Sequence, residues 1–205
     1  MFTLLAGLTL AGCALRRVSY NVSIQFTDPR FSPRMLSNRE MAVLPLLTAG
    51  GPVTEGRLEA RKMVKRLRSL RPDLTFVSYR AFENGFPPRF DKREINVFYE
   101  HLFSGDMLAV KSMDSLWAFV RQPYLLVYTL KDGARIQNMD ESHFKHVSVV
   151  CEIWSRDGRG VVWRASVRGV SDDRRVLDSE ILAESMRRLV RSIPAVAPDY
   201  GQEEW

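Results

Sequence analysis

The chain has 205 residues, of which 45% are hydrophobic and 26% are charged. This balance is typical of one folded domain and excludes a chain that stays extended and disordered. The formal net charge is +6 and the isoelectric point is about 9.6. A basic balance favours anionic partners such as lipid headgroups, nucleic acid or acidic polymers, although an ordinary solvated surface is the simpler explanation.

The amino terminus is apolar and carries no charged side chain. Residues 2–12 have the length of the hydrophobic region of an export signal and are too short to span a bilayer as a helix. The stretch ends in Leu10-Ala11-Gly12-Cys13, in which an apolar residue and two small residues precede a cysteine. This is the lipobox pattern, so we predict that residues 1–12 are a lipoprotein signal peptide whose cleavage site is recognised through Leu10, Ala11 and Gly12.

The predicted product is a protein whose first residue, Cys13, carries covalent diacylglyceryl and N-acyl lipid; no other cofactor is expected. Ala14 follows this cysteine, in place of the aspartate that signals inner-membrane retention in enteric bacteria. We therefore expect an outer-membrane lipoprotein that faces the periplasm. No lysine or arginine precedes the apolar stretch, which leaves an upstream translation start open. A buried apolar segment that ends in a cysteine is the alternative interpretation.

The rest of the chain alternates between strand and helix patterns. Residues 13–39 form a polar lead with an alternating strand at 19–26, and residues 40–194 form the predicted domain. Within the domain we predict strands at 41–47, 74–79, 124–130, 143–154 and 161–170, and helices at 53–70, 91–103, 107–120 and 178–192. Pro45 lacks an amide hydrogen, so we expect the first of these strands to end there or to lie at a sheet edge. Residues 195–205 form a flexible tail.

The element order β–α–β–α–α–β–β–β–α indicates the fold class. Strand–helix–strand units in the first half favour parallel crossovers, and consecutive strands in the second half favour an antiparallel meander. We predict one mixed α/β (α+β) domain, with a single mixed sheet and helices packed on it in two or three layers.

Two short motifs resemble a known group of envelope proteins. The strand Met41-Ala42-Val43-Leu44-Pro45 and the late strand Val161-Val162-Trp163-Arg164-Ala165-Ser166-Val167-Arg168-Gly169, which precedes the final helix, accompany the lipobox. Together they resemble bacterial lipoproteins related to the curli-secretion channel protein and to the amino-terminal domain of the Tol-system translocation protein. Periplasmic lipoprotein activators of penicillin-binding proteins share this architecture. The resemblance covers residues 40–194 and implies a scaffold or assembly factor, although the glycine- and serine-rich membrane-inserting hairpins of a channel subunit are not evident.

Patterns that indicate catalysis are weak. The chain has no Gly-x-Ser-x-Gly, no phosphate-binding loop and no His-Glu-x-x-His. His143 and His146 are three residues apart, which places them on opposite faces of a strand, so we expect no metal site. Cys151 lies in an apolar strand, where a thiolate is disfavoured, so we expect neither a disulfide nor a nucleophile there. We therefore predict no catalytic residue and no enzyme.

Two features indicate binding. The cations Arg57, Arg61, Lys65 and Arg68 form one stripe on the predicted helix 53–70, where they either contact an anionic surface or are simply solvated. The loop Phe86-Pro87-Pro88 is the predicted exposed apolar surface and hence a candidate partner site.

The predicted function is that of a non-enzymatic binding or scaffold component of an envelope assembly, secretion or wall-synthesis system. We expect an envelope protein as a partner, and a homo-oligomer stays open. We expect no nucleic acid, because an exported protein rarely meets it. The alternatives are an oligomeric export-channel subunit, for which residues 135–142 are the candidate inserting loop, and an envelope hydrolase.

Overall fold

A computed structural model describes residues 18–53, 57–87, 90, 92–132, 135–137, 143–173 and 175–195. Eight strands are described, and all belong to one mixed sheet. Their order is β1-β8-β7-β5-β2-β3, with β4 paired to β2 and β6 paired to β7. Strands run as β1 (Val18–Thr27), β2 (Glu40–Thr48), β3 (Gly51–Val53), β4 (Thr75–Ser78), β5 (Tyr124–Asp132), β6 (Arg135–Gln137), β7 (His143–Ser155) and β8 (Gly160–Ser171).

The predicted change from parallel to antiparallel pairing is confirmed. Strand β2 pairs in parallel with β4 and with β5. Parallel pairing is possible because one helical crossover leads from β2 to β4 and another leads from β4 to β5. Strands β5, β7, β8 and β1 pair antiparallel in that order. The described helices are α1 (Arg57–Leu70), α2 (Tyr79–Glu83), α3 (Lys92–Ser104), α4 (Met107–Ser112), α5 (Asp114–Trp117) and α6 (Asp178–Ser192), and a 3-10 turn spans Pro33–Leu36.

The helices cover the sheet on two sides, which gives three layers. Helices α1 and α6 pack on one face, where Leu67 and Ile181 join a core with strand residues such as Trp163. Helices α2 to α5 pack on the other face, where Phe98 and Trp117 join a second core. Alternate side chains of a strand point to opposite faces, so the central strands supply both cores and are apolar throughout. This explains the continuous apolar run of β2, in which Met41 to Leu44 are all buried.

The expectation for Pro45 is wrong, because β2 is an interior strand that continues to Thr48. On one side of β2, β4 pairs with residues 40–43 and β3 pairs with residues 46–48. On the other side, the pairing with β5 shifts between Val43 and Leu46. Pro45 lies at both interruptions, where a missing amide hydrogen breaks no regular ladder.

Several elements differ from the sequence expectation. Strand β1 belongs to the sheet and pairs with β8 over its length, so the described fold takes in residues of the predicted polar lead. Strand β3 was not predicted; it begins at Gly51, whose φ of +100° favours glycine, and forms a hairpin with β2. Helix α2 was not predicted, and the predicted helix 107–120 is two short helices, α4 and α5, interrupted at Met113.

One buried arginine connects α1 to the end of α6. Arg71, directly after α1, is 7% exposed and donates to the carbonyl oxygens of Val190 (3.2 Å), Ile193 and Pro194 (3.0 Å). The same guanidinium makes a two-pronged ion pair with Asp73, at 2.8 and 2.6 Å. A helix end leaves carbonyl groups without intrahelical partners, and here a cation from another element donates to carbonyls at and just after that end.

The start of the described fold shares one end of the sheet with the carboxyl end of β2. Val18 pairs with Ser171, and Ser171 pairs in turn with Lys145 near the start of β7. The antiparallel steps from β7 to β5 and the parallel step to β2 bring Thr48 to that same end. Whatever precedes Val18 therefore enters the domain at the end where β2 leaves the sheet.

Candidate functional site

Helix α1 concentrates positive charge on one side of the domain. It carries six cations and one anion in 14 residues. Six positive charges and one negative charge give this helix a net charge of +5, whereas the net charge of the whole chain is +6. Its described cations are all exposed: Arg61, Lys62, Lys65, Arg66 and Arg68. An exposed cluster of one sign attracts anions, and the attraction weakens with salt.

The predicted stripe on this helix consists of residues with different contacts. Arg61 and Lys65 are exposed on the solvent side of α1. Arg68 is exposed too, but its Nη2 atom donates to the carbonyl oxygen of Phe76 at 2.8 Å, which ties it to β4. The side chain of Arg57 lies outside the described residues. Arg61 and Lys65 are thus the members best placed to reach an anionic surface.

A groove with an apolar floor and a basic rim runs between α1 and α6. Its floor includes Met63, Leu67 and Met186, and its volume there is about 210 Å³. Lys62, Arg66 and Arg187 line the same stretch. A neighbouring cavity of about 270 Å³ shares Met63 and Met186 and continues the groove toward Val53 of β3. The basic side of the molecule therefore also offers apolar surface.

A polar crevice lies beyond the carboxyl ends of β2 and β4. Helix α1 lies on the connection from β2 to β4, which pairs with one side of β2. Helices α2 to α5 lie on the connection from β4 to β5, which pairs with the other side. The chain thus crosses from one side of β2 to the other, which makes β2 a topological switch point. Open α/β sheets bind ligands in such crevices. The volume is about 590 Å³, and the lining residues are Gly50, Pro52, Tyr79, Arg80, Glu83, Asn84, Lys92, Ile95, Asn96 and Tyr99.

The centre of this crevice is a hydrogen bond between Tyr99 and Glu83. The Tyr99 hydroxyl donates to Glu83 Oε1 at 3.2 Å. Burial raises the pKa of the Glu83 carboxyl, and the Tyr99 hydrogen bond, Arg80 and Lys92 offset only part of that rise. Burial, with the charge of Glu83, raises the pKa of Tyr99 well above its ordinary value. The crevice therefore combines hydrogen-bonding groups with two cations, which suits a polar or anionic ligand.

The predicted partner loop is only partly accessible. Phe86 is half-buried, with its ring centroid 5.0 Å from that of Phe82 and 5.8 Å from that of Phe90. Pro87 is also half-buried, and Pro88 lies outside the described residues. The most exposed large apolar side chains of the described chain lie elsewhere: Leu108 at 81%, Ile24 at 58% and Leu177 at 58%. A partner role for residues 86–88 stays a prediction.

The groups considered for catalysis lie mainly in the sheet. Cys151 is fully buried, and burial followed by the charge of Glu152 raises the pKa of its thiol well above the ordinary value. His146 is buried, and the side chain of His143 lies outside the described residues. Within the described ranges, no group of histidine, cysteine, aspartate or glutamate side chains is arranged to hold a metal ion. No helix in those ranges is both long and apolar enough to cross a bilayer.

The remaining predicted site residues lie outside the described structure. These are the four lipobox residues Leu10, Ala11, Gly12 and Cys13, together with residues 138–142 of the candidate inserting loop. The start of that loop, Arg135–Gln137, forms β6 and pairs with β7.

No family model and no curated protein matches the chain. Several solved structures are distantly similar to the chain. A PelC dodecamer from Paraburkholderia phytofirmans is 12% identical, covers 88% of this chain and 99% of its own, and has a TM-score of 0.43. Lipoprotein GNA1162 from Neisseria meningitidis is 13% identical over 75% of this chain and 99% of its own, with a TM-score of 0.37. The LpoB C-terminal domain from Salmonella enterica is 11% identical over 63% and 81%, with a TM-score of 0.33.

One of these structures, GNA1162, is described as a lipoprotein. At such identities and scores, the likeness assigns neither a family nor a function to this chain. The narrower grouping with the curli-secretion and Tol proteins stays a prediction.

Proposed function

We propose that this chain is a lipoprotein of the outer membrane, anchored through lipid on Cys13, that acts in the periplasm as a non-enzymatic binding or scaffold component of an envelope system. The observation that carries the proposal is the lipobox Leu10-Ala11-Gly12-Cys13, which ends five residues before the first described strand. Acyl chains hold a protein at a bilayer by burying methylene groups, at roughly 0.8 kcal/mol each. Metabolic lipid labelling that depends on Cys13 tests the proposed anchor directly.

The short connection has a mechanical consequence. An extended chain spans at most about 3.6 Å per residue, so five steps keep Val18 within about 18 Å of the lipidated residue. The end of the sheet that carries Val18, the carboxyl end of β2 and the polar crevice then stays near the headgroups. Such confinement raises the effective concentration of the domain toward other components of the same membrane.

The basic face of α1 supplies the proposed contact. A cation near an anionic membrane surface contributes about 1 kcal/mol to binding, so Arg61 and Lys65 together contribute roughly 2 kcal/mol. An acidic envelope polymer or an acidic protein surface would be attracted by the same side chains. In this proposal the anchor brings the domain to the membrane and the cations of α1 orient it or bind its partner.

Vesicle binding tests this contact. A soluble form that begins at Ala14 is sedimented with phosphatidylglycerol vesicles and with phosphatidylcholine vesicles. We expect binding to the anionic vesicles alone, and at least a tenfold loss on Arg61→Glu with Lys65→Glu, because two attractive charges become repulsive. The matched control reverses two exposed cations of α3 and α4, Arg93→Glu and Lys111→Glu. Equal losses for both pairs would show that net charge acts and that the face of α1 does not.

A further inference from the structure

Strand β1 forms one border of the sheet. Its register with β8 runs from Val18 opposite Ser171 to Thr27 opposite Trp163. On its other side, the described residues place no strand. The outer edge of β1 therefore presents a row of backbone amide and carbonyl groups that another strand can pair with.

Apart from the irregularity between Ile24 and Phe26, this border lacks the features with which proteins usually block an exposed edge. Proteins shorten edge strands or place charged residues and proline on them. Strand β1 has ten residues and includes no charged residue, no proline and no glycine, in a chain that is 26% charged. The opposite border differs, because it consists of the three residues of β3, which include Pro52, and the four residues of β4. Of the two borders, β1 is the one suited to pairing.

One face of β1 also exposes apolar side chains. Val22 is 36% exposed and Ile24 is 58% exposed, and both lie on the face of their β8 partners Val167 and Ala165. Tyr20 lies on the same face one step earlier and is held against α6, where the Arg188 guanidinium lies 4.4 Å from its ring centroid. A second strand paired at this edge would cover part of this apolar row.

The sequence of β1 is complementary to itself. When a strand pairs antiparallel with its own copy about a residue, every apolar position opposes another apolar position, because both residues of each pair lie on the same face. The pairing of β1 with β8 shifts between Ile24 and Phe26, which limits the regular stretch to residues 18–24, with Asn21 at its midpoint. No charge opposes a like charge in such a pair, because this stretch carries none.

We propose that β1 is an interface between two copies of this chain, which pair antiparallel about Asn21 and join their sheets. In this register, Val18 of one copy opposes Ile24 of the other, and Tyr20 opposes Val22. The two-fold axis of such a pair is perpendicular to the joined sheet, so the chain segments before both Val18 residues reach the same bilayer when the sheet lies parallel to the membrane. This interface goes beyond the proposed anchoring and envelope role. It does not depend on whether the α1 cations bind the membrane.

Disulfide cross-linking of the full chain in cells tests the register. In the proposed pair, two Asn21 residues oppose each other directly, at a Cβ separation of about 5 Å. Asn21→Cys is therefore expected to give a reducible dimer after oxidation with copper phenanthroline. In the matched variant Ser23→Cys, the two cysteines are four residues apart along the strands, about 13 Å, which is too far for a disulfide. The unmodified chain supplies the background, since Cys151 is buried.

A charged residue on the edge provides a second, independent readout. Ile24→Lys in the Asn21→Cys chain is expected to reduce the cross-linked fraction at least about fivefold, because it places a charge opposite Val18 of the other copy. Leu108→Lys, which alters an apolar side chain on α4 that is still more exposed, is expected to leave the fraction unchanged. The proposal is overturned if Asn21→Cys gives no dimer above background, if Ser23→Cys cross-links equally, or if both lysine variants have the same effect.

Discussion

Arg71 offers the sharpest test of how the helical layer is held together. Its guanidinium donates to three carbonyl oxygens at the end of α6 and to both carboxylate oxygens of Asp73. Arg71→Ala removes all of these donors. The carbonyls of Ile193 and Pro194 lose this donor, and Val190 keeps only the bond from the Ile193 amide at 3.3 Å. Asp73, which is 26% exposed, regains water.

The expected cost follows from these contacts. Hydrogen bonds to a charged group contribute about 1.5–3 kcal/mol each where burial is deep, and removal of one partner of a buried ion pair costs about 3–5 kcal/mol. The three carbonyls share one cation and Asp73 is partly solvated, so we expect a loss of about 3–4 kcal/mol. This is a large share of the roughly 5–15 kcal/mol by which a domain is stable.

Urea unfolding followed by tryptophan fluorescence measures this loss. The matched control is Arg191→Ala, which removes an exposed arginine from the last turn of the same helix and is expected to change the free energy of unfolding by at most about 0.5 kcal/mol. If Arg71→Ala also changes the free energy of unfolding by at most about 0.5 kcal/mol, the guanidinium does not hold α6, and the reasoning from its contacts fails.

Two further predictions concern the sheet. Gly169→Ala places a Cβ atom 2.6 Å from Ile181 Cγ2, so we expect a loss of about 1–3 kcal/mol in the same unfolding assay, whereas Gly158→Ala in the β7–β8 turn, with nothing nearer than 3.8 Å, is expected to be nearly neutral. Cys151 is fully buried and its thiol pKa is raised, so in a Cys13→Ala chain we expect no reaction with iodoacetamide at pH 8 in the native state and full reaction in denaturant; rapid labelling of the native chain would contradict the described burial.

The second half of the fold could be predicted closely from the sequence. Strand β8 alternates buried and partly exposed residues along nearly its whole length, and β7 joins it through the turn that contains Gly158. Helix α6 begins and ends at the predicted residues 178 and 192. Local patterns sufficed here because β8 and α6 each have one mainly buried face and β7 is connected to β8 by a short turn.

The first half was predicted less well, because its elements depend on distant partners. Pro45 can be accommodated inside a sheet only because β4 ends and β3 begins beside it, and neither event is visible in the residues around it. The outcome for α4 and α5 is similar: the periodicity of residues 107–120 is helical, but the helix is interrupted at Met113. Tertiary contacts decide such cases.

The candidate site shows the same limit. The cations of α1 could be predicted because they follow one another along a single helix. The crevice could not, because Glu83 and Tyr99 belong to different helices and meet only when both pack beside the carboxyl end of β2. The contact between Arg68 and the Phe76 carbonyl also depends on the packing of α1 against β4, which the helical stripe alone does not reveal.

The proposed anchor is lipid on Cys13, and metabolic labelling with a clickable palmitate tests for it most directly. The full-length chain and its Cys13→Ala variant are expressed in parallel, and both are captured and quantified. We expect label on the full-length chain and none on the variant, together with a shift of the variant from the membrane to the soluble fraction. An intact, expressed full-length chain without label would contradict the anchor, and residues 1–12 would then be an ordinary export signal or a buried element.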